Sequence, residues 1–203
     1  MRKTELSANI PAPVWKGALQ FHTGGVTRFY GPMESGKTRV MIALILYLVE
    51  YEHFPGNRIY CNTWLDIPGA HWLRNAEMRK VLRRALNTET GAGRWNRCIF
   101  AIMDADDVYS HIDQADKECY TDIKKASQAY KRNIHLFYEV HDGLGVPKYL
   151  RDKTEVSMYP VPNERDDSVT VYVADAHYNV NYQFTIGRIS SMHGRYRRFK
   201  ENY

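Results

Sequence analysis

Eight consecutive residues at positions 31–38, with the sequence GPMESGKT, constrain the fold more than any other part of the chain. They match the pattern G-x-x-x-x-G-K-[ST] at every required position, which happens by chance in roughly one chain of this length in a hundred. A short β-forming run precedes the motif at 26–30, and a largely apolar stretch of helical length follows it at 37–53. The sequence therefore predicts a strand, a glycine-rich loop and a buried helix, in that order.

A loop of this kind binds the phosphates of a nucleotide, and we call residues 31–38 the P-loop. Its glycines let successive backbone N–H groups point at phosphate oxygens, and the helix that follows directs its positive end at the same anions. The lysine reaches the β- and γ-phosphates, and the threonine hydroxyl ligates Mg²⁺. We predict binding of ATP and Mg²⁺, against the alternative of a plain glycine-rich turn. The predicted nucleotide-binding residues are Gly31, Pro32, Met33, Glu34, Ser35, Gly36, Lys37, Thr38 and Arg39.

A second acid is needed to complete the Mg²⁺ shell, and it usually ends an apolar strand. Residues 99–103 form such a run and Asp104 ends it, so we predict Asp104 as a metal ligand beside the P-loop threonine. Hydrolysis also needs a carboxylate that orients the attacking water, often directly after that aspartate, but this position is Ala105. Asp106 or Asp107 is the candidate for this base. The alternative for this acidic cluster is a set of solvated acids at the start of a helix.

The order of elements predicts an α/β domain. The first predicted strands and helices alternate, at 26–30, 37–53, 58–62, 70–86, 98–103, 108–130 and 134–140. The last three predicted elements are all β-rich runs separated by turn signals, at 156–161, 169–174 and 182–189. Alternation followed by strands predicts a mostly parallel sheet that is flanked by helices and extended by C-terminal β-strands.

The chain has 203 residues, of which 44% are hydrophobic and 25% charged. This length and composition favour one globular domain with its own core over a disordered or fibrous chain. We predict a single domain over residues 1–203, in which 1–25 form an N-terminal extension and 175–203 form a β-hairpin and a basic tail. The net charge of +5 permits an anionic partner without requiring one.

Several classes of protein are excluded by what the sequence lacks. The three cysteines include no CxxC pair and the eight histidines no HxxH or HExxH spacing, so neither a disulfide framework nor a structural zinc site is expected. His135 and His141 flank a predicted strand and are expected to be packing or surface residues. The N-terminus lacks the apolar segment of a secretory signal, and the longest apolar run, 40–49, is about half a membrane span. We therefore expect an intracellular protein with no transmembrane segment.

Three segments together resemble the FtsK/HerA superfamily of P-loop ATPases: GPMESGKT at 31–38, CIFAIMD at 98–104, and AYKRNIHLFYEVHD at 129–142. Within that superfamily, residues 26–174 look similar to genome-packaging ATPases of tailless icosahedral viruses and to zonula-occludens-toxin-like assembly ATPases of filamentous phages. The resemblance implies a RecA/FtsK-like P-loop NTPase fold. It also implies a ring, hexameric or pentameric, that hydrolyses ATP to pull double-stranded DNA.

The resemblance also implies roles for three further residues. Family members typically end the strand after the second acid in a polar sensor, often Thr-Gln, and here that pair is Tyr138-Glu139. Glu139 is thus expected to act as the sensor of the γ-phosphate. Arg132 stands where a basic residue that reaches a neighbour's site is expected, and Arg151 is a second candidate for this arginine finger. Solvated charges at a helix end or in a loop are the alternative for both arginines.

Two basic segments are candidates for contacts with DNA phosphates. The first is one face of the predicted helix at 70–86, formed by Arg79, Lys80, Arg83 and Arg84. The second is the tail at 195–200, where Tyr196 or Phe199 could stack on nucleic acid. A motor that moves any sequence is expected to bind the DNA backbone and not the bases. An ordinary solvated helix face and a solubilising terminus are the alternatives.

These features predict an ATP-hydrolysing motor that translocates double-stranded DNA and packages a viral genome into a preformed capsid. Viral capsid or membrane-vertex proteins are the expected further partners, and the host cytoplasm or the virion is the expected location. The alternatives are a phage assembly or export ATPase, a P-loop small-molecule kinase, and an ATP-binding assembly protein with little hydrolysis. The three closing strands argue against the kinase, whereas Ala105 and Glu139 favour the weakly hydrolysing protein.

Overall fold

The computed structural model describes residues 14–16, 24–87, 95, 97–109, 133–141, 146, 148–163, 165–175 and 179–197. The strands are β1 (Val14–Lys16), β2 (Gly25–Tyr30), β3 (Ile59–Cys61), β4 (Trp64–Leu65), β5 (His71–Trp72), β6 (Ile99–Ile102), β7 (His135–Val140), β8 (Val156–Asn163), β9 (Ser168–Asp175), β10 (Val180–Gly187) and β11 (Tyr196–Arg197). The α-helices are α1 (Lys37–Glu50), α2 (Asn75–Asn87), α3 (Ala105–Tyr109) and α4 (Lys148–Asp152), and 3₁₀ turns lie at Gly56–Arg58 and Ile189–Arg195.

A nine-stranded sheet organises the fold, in the order β1-β10-β9-β8-β2-β7-β6-β3-β5. The strands from β8 through β5 pair in parallel, whereas β8, β9, β10 and β1 pair antiparallel. This confirms the predicted mostly parallel sheet with a C-terminal β extension. Strand β7 lies between β2, which leads into the P-loop, and β6, which ends before Asp104. Since parallel strands end at the same edge of a sheet, the ends of these three strands meet there.

Helix α1 and the 3₁₀ turn at Ile189–Arg195 belong to the core on one face of the sheet, whereas α2 belongs to the core on the other. Ten of the fourteen residues of α1 are buried, as its largely apolar sequence predicts. On α2, burial is confined to one stripe that comprises Met78, Leu82, Ala85 and Leu86. Each large apolar side chain buried in this way stabilises the fold by about 1.5–3 kcal/mol.

The bounds of several elements differ from the prediction. Helix α1 ends at Glu50 and not at 53, and a left-handed residue, His53 with φ 51°, follows it. The predicted helix at 70–86 begins only at Asn75 because His71–Trp72 form β5 beside β3. The backbone N–H of Arg74 donates to Glu77 Oε2 at 3.1 Å, a capping interaction that explains this start. The predicted strand at 182–189 runs instead from Val180 to Gly187.

The two ends of the described chain both take part in sheets. In the predicted N-terminal extension, β1 pairs with β10 at the edge of the large sheet, and β11 pairs with β4 in a separate two-stranded sheet. Of the predicted helix at 108–130, α3 covers the start, and residues 110–130 lie outside the described residues. No helix in the described part of the chain is long and apolar enough to span a membrane.

Candidate nucleotide-binding site

The P-loop connects β2 to α1 through two glycines whose conformations exclude other residues. Gly31 has φ 143° and Gly36 has φ 91°, values that L side chains rarely adopt. A Cβ atom at Gly31 would lie only 3.1 Å from Ser35 Oγ and 3.2 Å from the ring of Tyr159. Gly36 is the N-cap of α1 and supplies no side-chain hydrogen bond, and the first helical turn carries no acid. The N-terminal N–H groups of α1 are therefore available to an anion.

Lys37 turns its ammonium group back onto the loop. Its Nζ donates to the carbonyl oxygens of Gly31 and Pro32, each at 2.8 Å, and lies 3.3 Å from Nδ1 of His141. The residue is 3% exposed. These contacts place the lysine at the mouth of the loop, from where it can exchange carbonyl partners for phosphate oxygens.

Thr38 is hydrogen-bonded to Glu139. Its Oγ1 lies 2.7 Å from Oε2 and 3.0 Å from Oε1 of Glu139, and the hydroxyl donates. Glu139 is 2% exposed and lies on β7, where it is the register partner of Phe29 on β2. Because β7 lies beside β2, the strand that leads into the P-loop, the carboxylate of Glu139 lies against the P-loop threonine. The geometry thus brings together Thr38 and the residue expected to act as sensor.

The carboxylate of Glu139 also affects Cys61 on β3. Burial raises the pKa of the Cys61 thiol to about 12, the backbone N–H of Thr63 opposes the rise, and the negative charge of Glu139 adds to it. Cys61 is therefore a neutral thiol at physiological pH. It is therefore a poor nucleophile, since the thiolate is the reactive form.

Asp104 follows β6 in a left-handed conformation, with φ 47°, and its carbonyl accepts hydrogen bonds from the N–H groups of Asp107 and Val108 at the start of α3. The side chain of Asn62, after β3, holds the backbone just before it. Asn62 Oδ1 accepts from the N–H of Met103 at 2.7 Å, and its Nδ2 donates to the Met103 carbonyl at 2.8 Å. This two-way bond fixes the turn that presents Asp104, and nothing in the sequence marked Asn62 for this role.

His141 is exposed, in line with the expectation of a packing or surface residue, and it lies between the P-loop lysine and Asp104. Its Nε2 lies 3.7 Å from Asp104 Oδ1 on one side of the ring, and its Nδ1 faces Lys37 on the other. Its backbone N–H donates to Asp106 Oδ2 at 2.9 Å. His135, at the other end of β7, is a packing residue as expected: it lies between Phe54 and Phe137, and burial lowers its pKa to about 4.

A pocket of about 200 Å³ lies over the P-loop. Its lining residues are Met33, Glu34, Gly36, Lys37, Thr38, Arg39, Glu139, His141 and Tyr196. Most of the predicted nucleotide-binding residues thus line one pocket, together with a tyrosine from the C-terminal strand β11. Asp104 is not one of the lining residues, but it lies 3.7 Å from the ring of His141, which is.

The predicted bases and arginine fingers have different surroundings. Asp106 is half-buried and bonded to His141, whereas Asp107 is exposed on α3. Arg151 lies on α4, and its Nη1 donates to the carbonyl of Val146 at 3.2 Å. Arg132 lies outside the described residues.

Of the two predicted DNA-binding segments, the face of α2 is described in full and the basic tail only in part. On α2, Lys80 and Arg84 are exposed, whereas Arg79 and Arg83 are half-buried. Of the basic tail, residues 195–197 are described, and Arg198, Phe199 and Lys200 lie outside the described residues. The exposed side chains on α2 leave that surface open to a phosphate backbone.

The oxygen ligands at the P-loop fit Mg²⁺. No group of three or more histidine, cysteine or acidic side chains that could hold a metal exists among the described residues. Mg²⁺ does not need such a cage, because it keeps several waters and binds through one or two carboxylates plus substrate phosphates. The hydroxyl of Thr38 beside the buried carboxylate of Glu139 is an oxygen set of this kind.

Comparison with known proteins assigns the fold. No family model and no curated protein matches the sequence. Among solved structures, the N-terminal domain of zonular occludens toxin from Neisseria meningitidis is similar, with a TM-score of 0.53 and 14% identity over 76% of this chain and 85% of that one. The genome packaging NTPase B204 from Sulfolobus turreted icosahedral virus 2, in complex with AMP, has a TM-score of 0.54 and 6% identity over 79% and 97% of the two chains.

A third solved structure, described only as an ATPase, has a TM-score of 0.56 and 9% identity over 89% of this chain and 84% of its own. At these identities the similarity concerns the fold. It confirms that the chain has the P-loop NTPase fold. It also confirms, for the fold, the resemblance to packaging and zonula-occludens-toxin-like proteins.

Proposed function

We propose that this protein is an ATP-hydrolysing motor that translocates double-stranded DNA and packages a viral genome into a capsid. One observation carries the proposal most: a P-loop lysine and threonine lie in one pocket with a buried carboxylate, on the fold of a genome packaging NTPase. That related structure is described with AMP, and another of the same protein with ATP-γ-S. For this chain we likewise propose that a nucleotide binds in the pocket over the P-loop.

The residues of the pocket divide the chemistry between them. Lys37 exchanges its bonds to the Gly31 and Pro32 carbonyls for the β- and γ-phosphate oxygens. Thr38 and Glu139 would hold Mg²⁺, together with Asp104 in the turn after β6. A bound Mg²⁺ would supply positive charge to offset the negative charge of the transferred phosphoryl group.

Of the two candidates for orienting the attacking water, we favour Asp106. Its carboxylate accepts from the backbone N–H of His141, which lines the pocket, whereas Asp107 is exposed. The arginine finger in this proposal is Arg132 or Arg151, acting on the site of a neighbouring subunit in a ring of five or six. Such a finger stabilises charge on the transferred phosphoryl group. Hydrolysis would then depend on assembly.

Double-stranded DNA is the proposed cargo, bound through its phosphates by the exposed cations of α2 and by the basic tail. Capsid or membrane-vertex proteins are the proposed docking partners, and the infected cytoplasm or the virion is the proposed location. The similarity to zonular occludens toxin supports a second candidate, an ATPase that exports or assembles phage particles. The two candidates differ in whether double-stranded DNA stimulates hydrolysis.

The proposal is tested by nucleotide hydrolysis in the full chain and in Lys37→Ala, with Lys153→Ala as the matched control. Lys153 is an exposed lysine directly after α4, outside the pocket. We expect Lys37→Ala to abolish Mg²⁺-dependent turnover and Lys153→Ala to leave it unchanged. Equal turnover in the wild type and Lys37→Ala would contradict the proposal. Phosphoryl transfer to a nucleoside instead of water would favour the kinase.

A further inference from the structure

Tyr196 brings the C-terminal part of the described chain into the wall of the P-loop pocket. The other residues that line this pocket belong to the P-loop, to the start of α1, or to the end of β7 and the residue just after it. Tyr196 belongs instead to β11, a strand of two residues. One wall of the pocket therefore comes from outside both the nine-stranded sheet and α1.

The pocket is too small in this structure to enclose a whole nucleotide. Its volume is about 200 Å³, whereas pockets that bury most of a small organic ligand measure about 300–1,000 Å³. The residues at its base are held in place, since Lys37, Thr38 and Glu139 are buried and belong to α1 or β7. A nucleoside triphosphate can thus be enclosed only if another wall of the pocket moves.

Strand β11 is the wall that moves at the lowest cost in free energy. In the described part of the chain it pairs with β4 alone, with Tyr196 opposite Leu65, in a sheet of two strands. The backbone N–H of Asp66 donates to the carbonyl of Arg195 at 2.8 Å, just before β11. Two paired strands are marginally stable on their own, so separating β11 from β4 costs less than moving α1 or β7.

The 3₁₀ turn before β11 is, by contrast, firmly anchored. Ile189 is 3% exposed and Met192 is fully buried, both in the core that contains α1. Ser190 Oγ donates to Asp167 Oδ2 at 2.6 Å, and the Ser190 backbone N–H donates to Oδ1 of the same carboxylate at 2.8 Å. Residues 189–197, which we call the C-terminal strap, therefore have a fixed start and a lightly held end.

We propose that the C-terminal strap controls access to the P-loop pocket: β11 separates from β4 to admit a nucleoside triphosphate, and Tyr196 leaves the pocket with it. The inference rests on the proposed nucleotide-binding function and adds to it an element that regulates the same site. A ligand shifts a conformational equilibrium only as far as it prefers one of the two states, and here the size of the ligand sets that preference. An anion that fits about 200 Å³, such as pyrophosphate, binds without opening the strap.

The first test locks the strap with a disulfide in the double variant Trp64→Cys/Arg197→Cys, which changes two register partners on β4 and β11. Opposed residues of antiparallel strands lie about 4.5–5.5 Å apart, within the range that a disulfide spans. The oxidised protein is the locked form, and the same protein after reduction is its control. We expect the locked form to bind ATP-γ-S at least about 10-fold more weakly than the reduced form, and pyrophosphate within about 2-fold. Equal ATP-γ-S affinity in the two forms would overturn the inference.

The second test removes the ring in Tyr196→Ala, and Tyr172→Ala is the matched control. Tyr172 lies on β9, is 37% exposed and does not line the pocket. Because no ring then has to leave the pocket, Tyr196→Ala should bind ATP-γ-S at least as tightly as the wild type does. Weaker binding of ATP-γ-S that Tyr172→Ala does not share would mean that the ring holds the nucleotide, and it would overturn the inference.

Amide hydrogen exchange measures the movement itself. ATP-γ-S should speed exchange in residues 64–66 and 195–197 of the wild type, whereas pyrophosphate should leave it unchanged. Slower exchange there with ATP-γ-S would contradict the inference. If the wild type binds neither ATP-γ-S nor pyrophosphate, the proposed function fails together with the inference. If ATP-γ-S binds but neither the disulfide nor the exchange shows an effect, the inference fails alone.

Discussion

Replacing Glu139 by glutamine should separate the stability of the fold from binding of Mg²⁺. The carboxylate is 2% exposed and accepts a charge-assisted bond from Thr38 at 2.7 Å. Glutamine keeps the shape and one acceptor oxygen for this hydroxyl, and it removes a charge that is costly to bury. We therefore expect the free energy of unfolding to change by less than about 1 kcal/mol.

Nucleotide binding in Mg²⁺ should respond very differently. A neutral amide is a poor ligand for a hard cation, and bonds to an ionised acceptor are roughly twice as strong as neutral ones. Loss of about 1.5–3 kcal/mol corresponds to an affinity for Mg²⁺-ATP-γ-S that is lower by about 10-fold to 100-fold. In EDTA, where no metal is held, wild type and Glu139→Gln should bind alike.

Calorimetric titration with ATP-γ-S in Mg²⁺ and in EDTA measures this difference, and Glu50→Gln, at the exposed end of α1, is the control. Asp104→Asn in the same assay compares the two carboxylates. If Glu139→Gln binds Mg²⁺-nucleotide as tightly as the wild type and Asp104→Asn does not, Glu139 is no metal ligand, and the assignment drawn from its bond to Thr38 is wrong.

Two further predictions concern the stability of the fold. Burial lowers the pKa of His135 from 6.5 to about 4, so the unfolded chain takes up a proton at a higher pH than the native one. The contribution of His135 to the free energy of unfolding should therefore be fully present above pH 6.5 and should fall by about 3 kcal/mol as the pH drops to about 4. Urea unfolding at a series of pH values measures this change, which should be absent in His135→Leu. Asn62→Leu leaves the N–H and carbonyl of Met103 unpaired, so it should cost about 1–3 kcal/mol of stability and lower Mg²⁺-ATP-γ-S affinity. Asn62→Asp keeps the acceptor oxygen, so it should recover part of the stability and part of the nucleotide affinity. Full stability in Asn62→Leu would show that the two-way bond between Asn62 and Met103 does not stabilise the turn.

Much of the fold could be predicted because its signals are local. The P-loop is a contiguous pattern, α1 is largely apolar, and several strands read as short apolar or β-rich runs. The apolar run at 99–103 likewise placed Asp104 at a strand end. Such signals depend only on neighbouring residues, so they are visible without knowledge of the tertiary structure.

The arrangement of the site could not be predicted in the same way, because it depends on which strands become neighbours. Insertion of β7 between β2 and β6 is what places Glu139 against Thr38 and His141 beside Lys37. No pattern along the chain encodes that order. The two-way bond between Asn62 and Met103 joins residues 41 positions apart, and the strand β5 depends on pairing with β3, which overrides the helical pattern around it.

The central claim is that this P-loop site drives movement along DNA. We would test this by measuring steady-state ATP hydrolysis by the full chain with and without double-stranded DNA. Particle size is followed in the same samples. We expect Mg²⁺-dependent turnover that double-stranded DNA stimulates, that accompanies ring-sized particles, and that Lys37→Ala abolishes. Turnover that is indifferent to DNA, or that survives in Lys37→Ala, would contradict it.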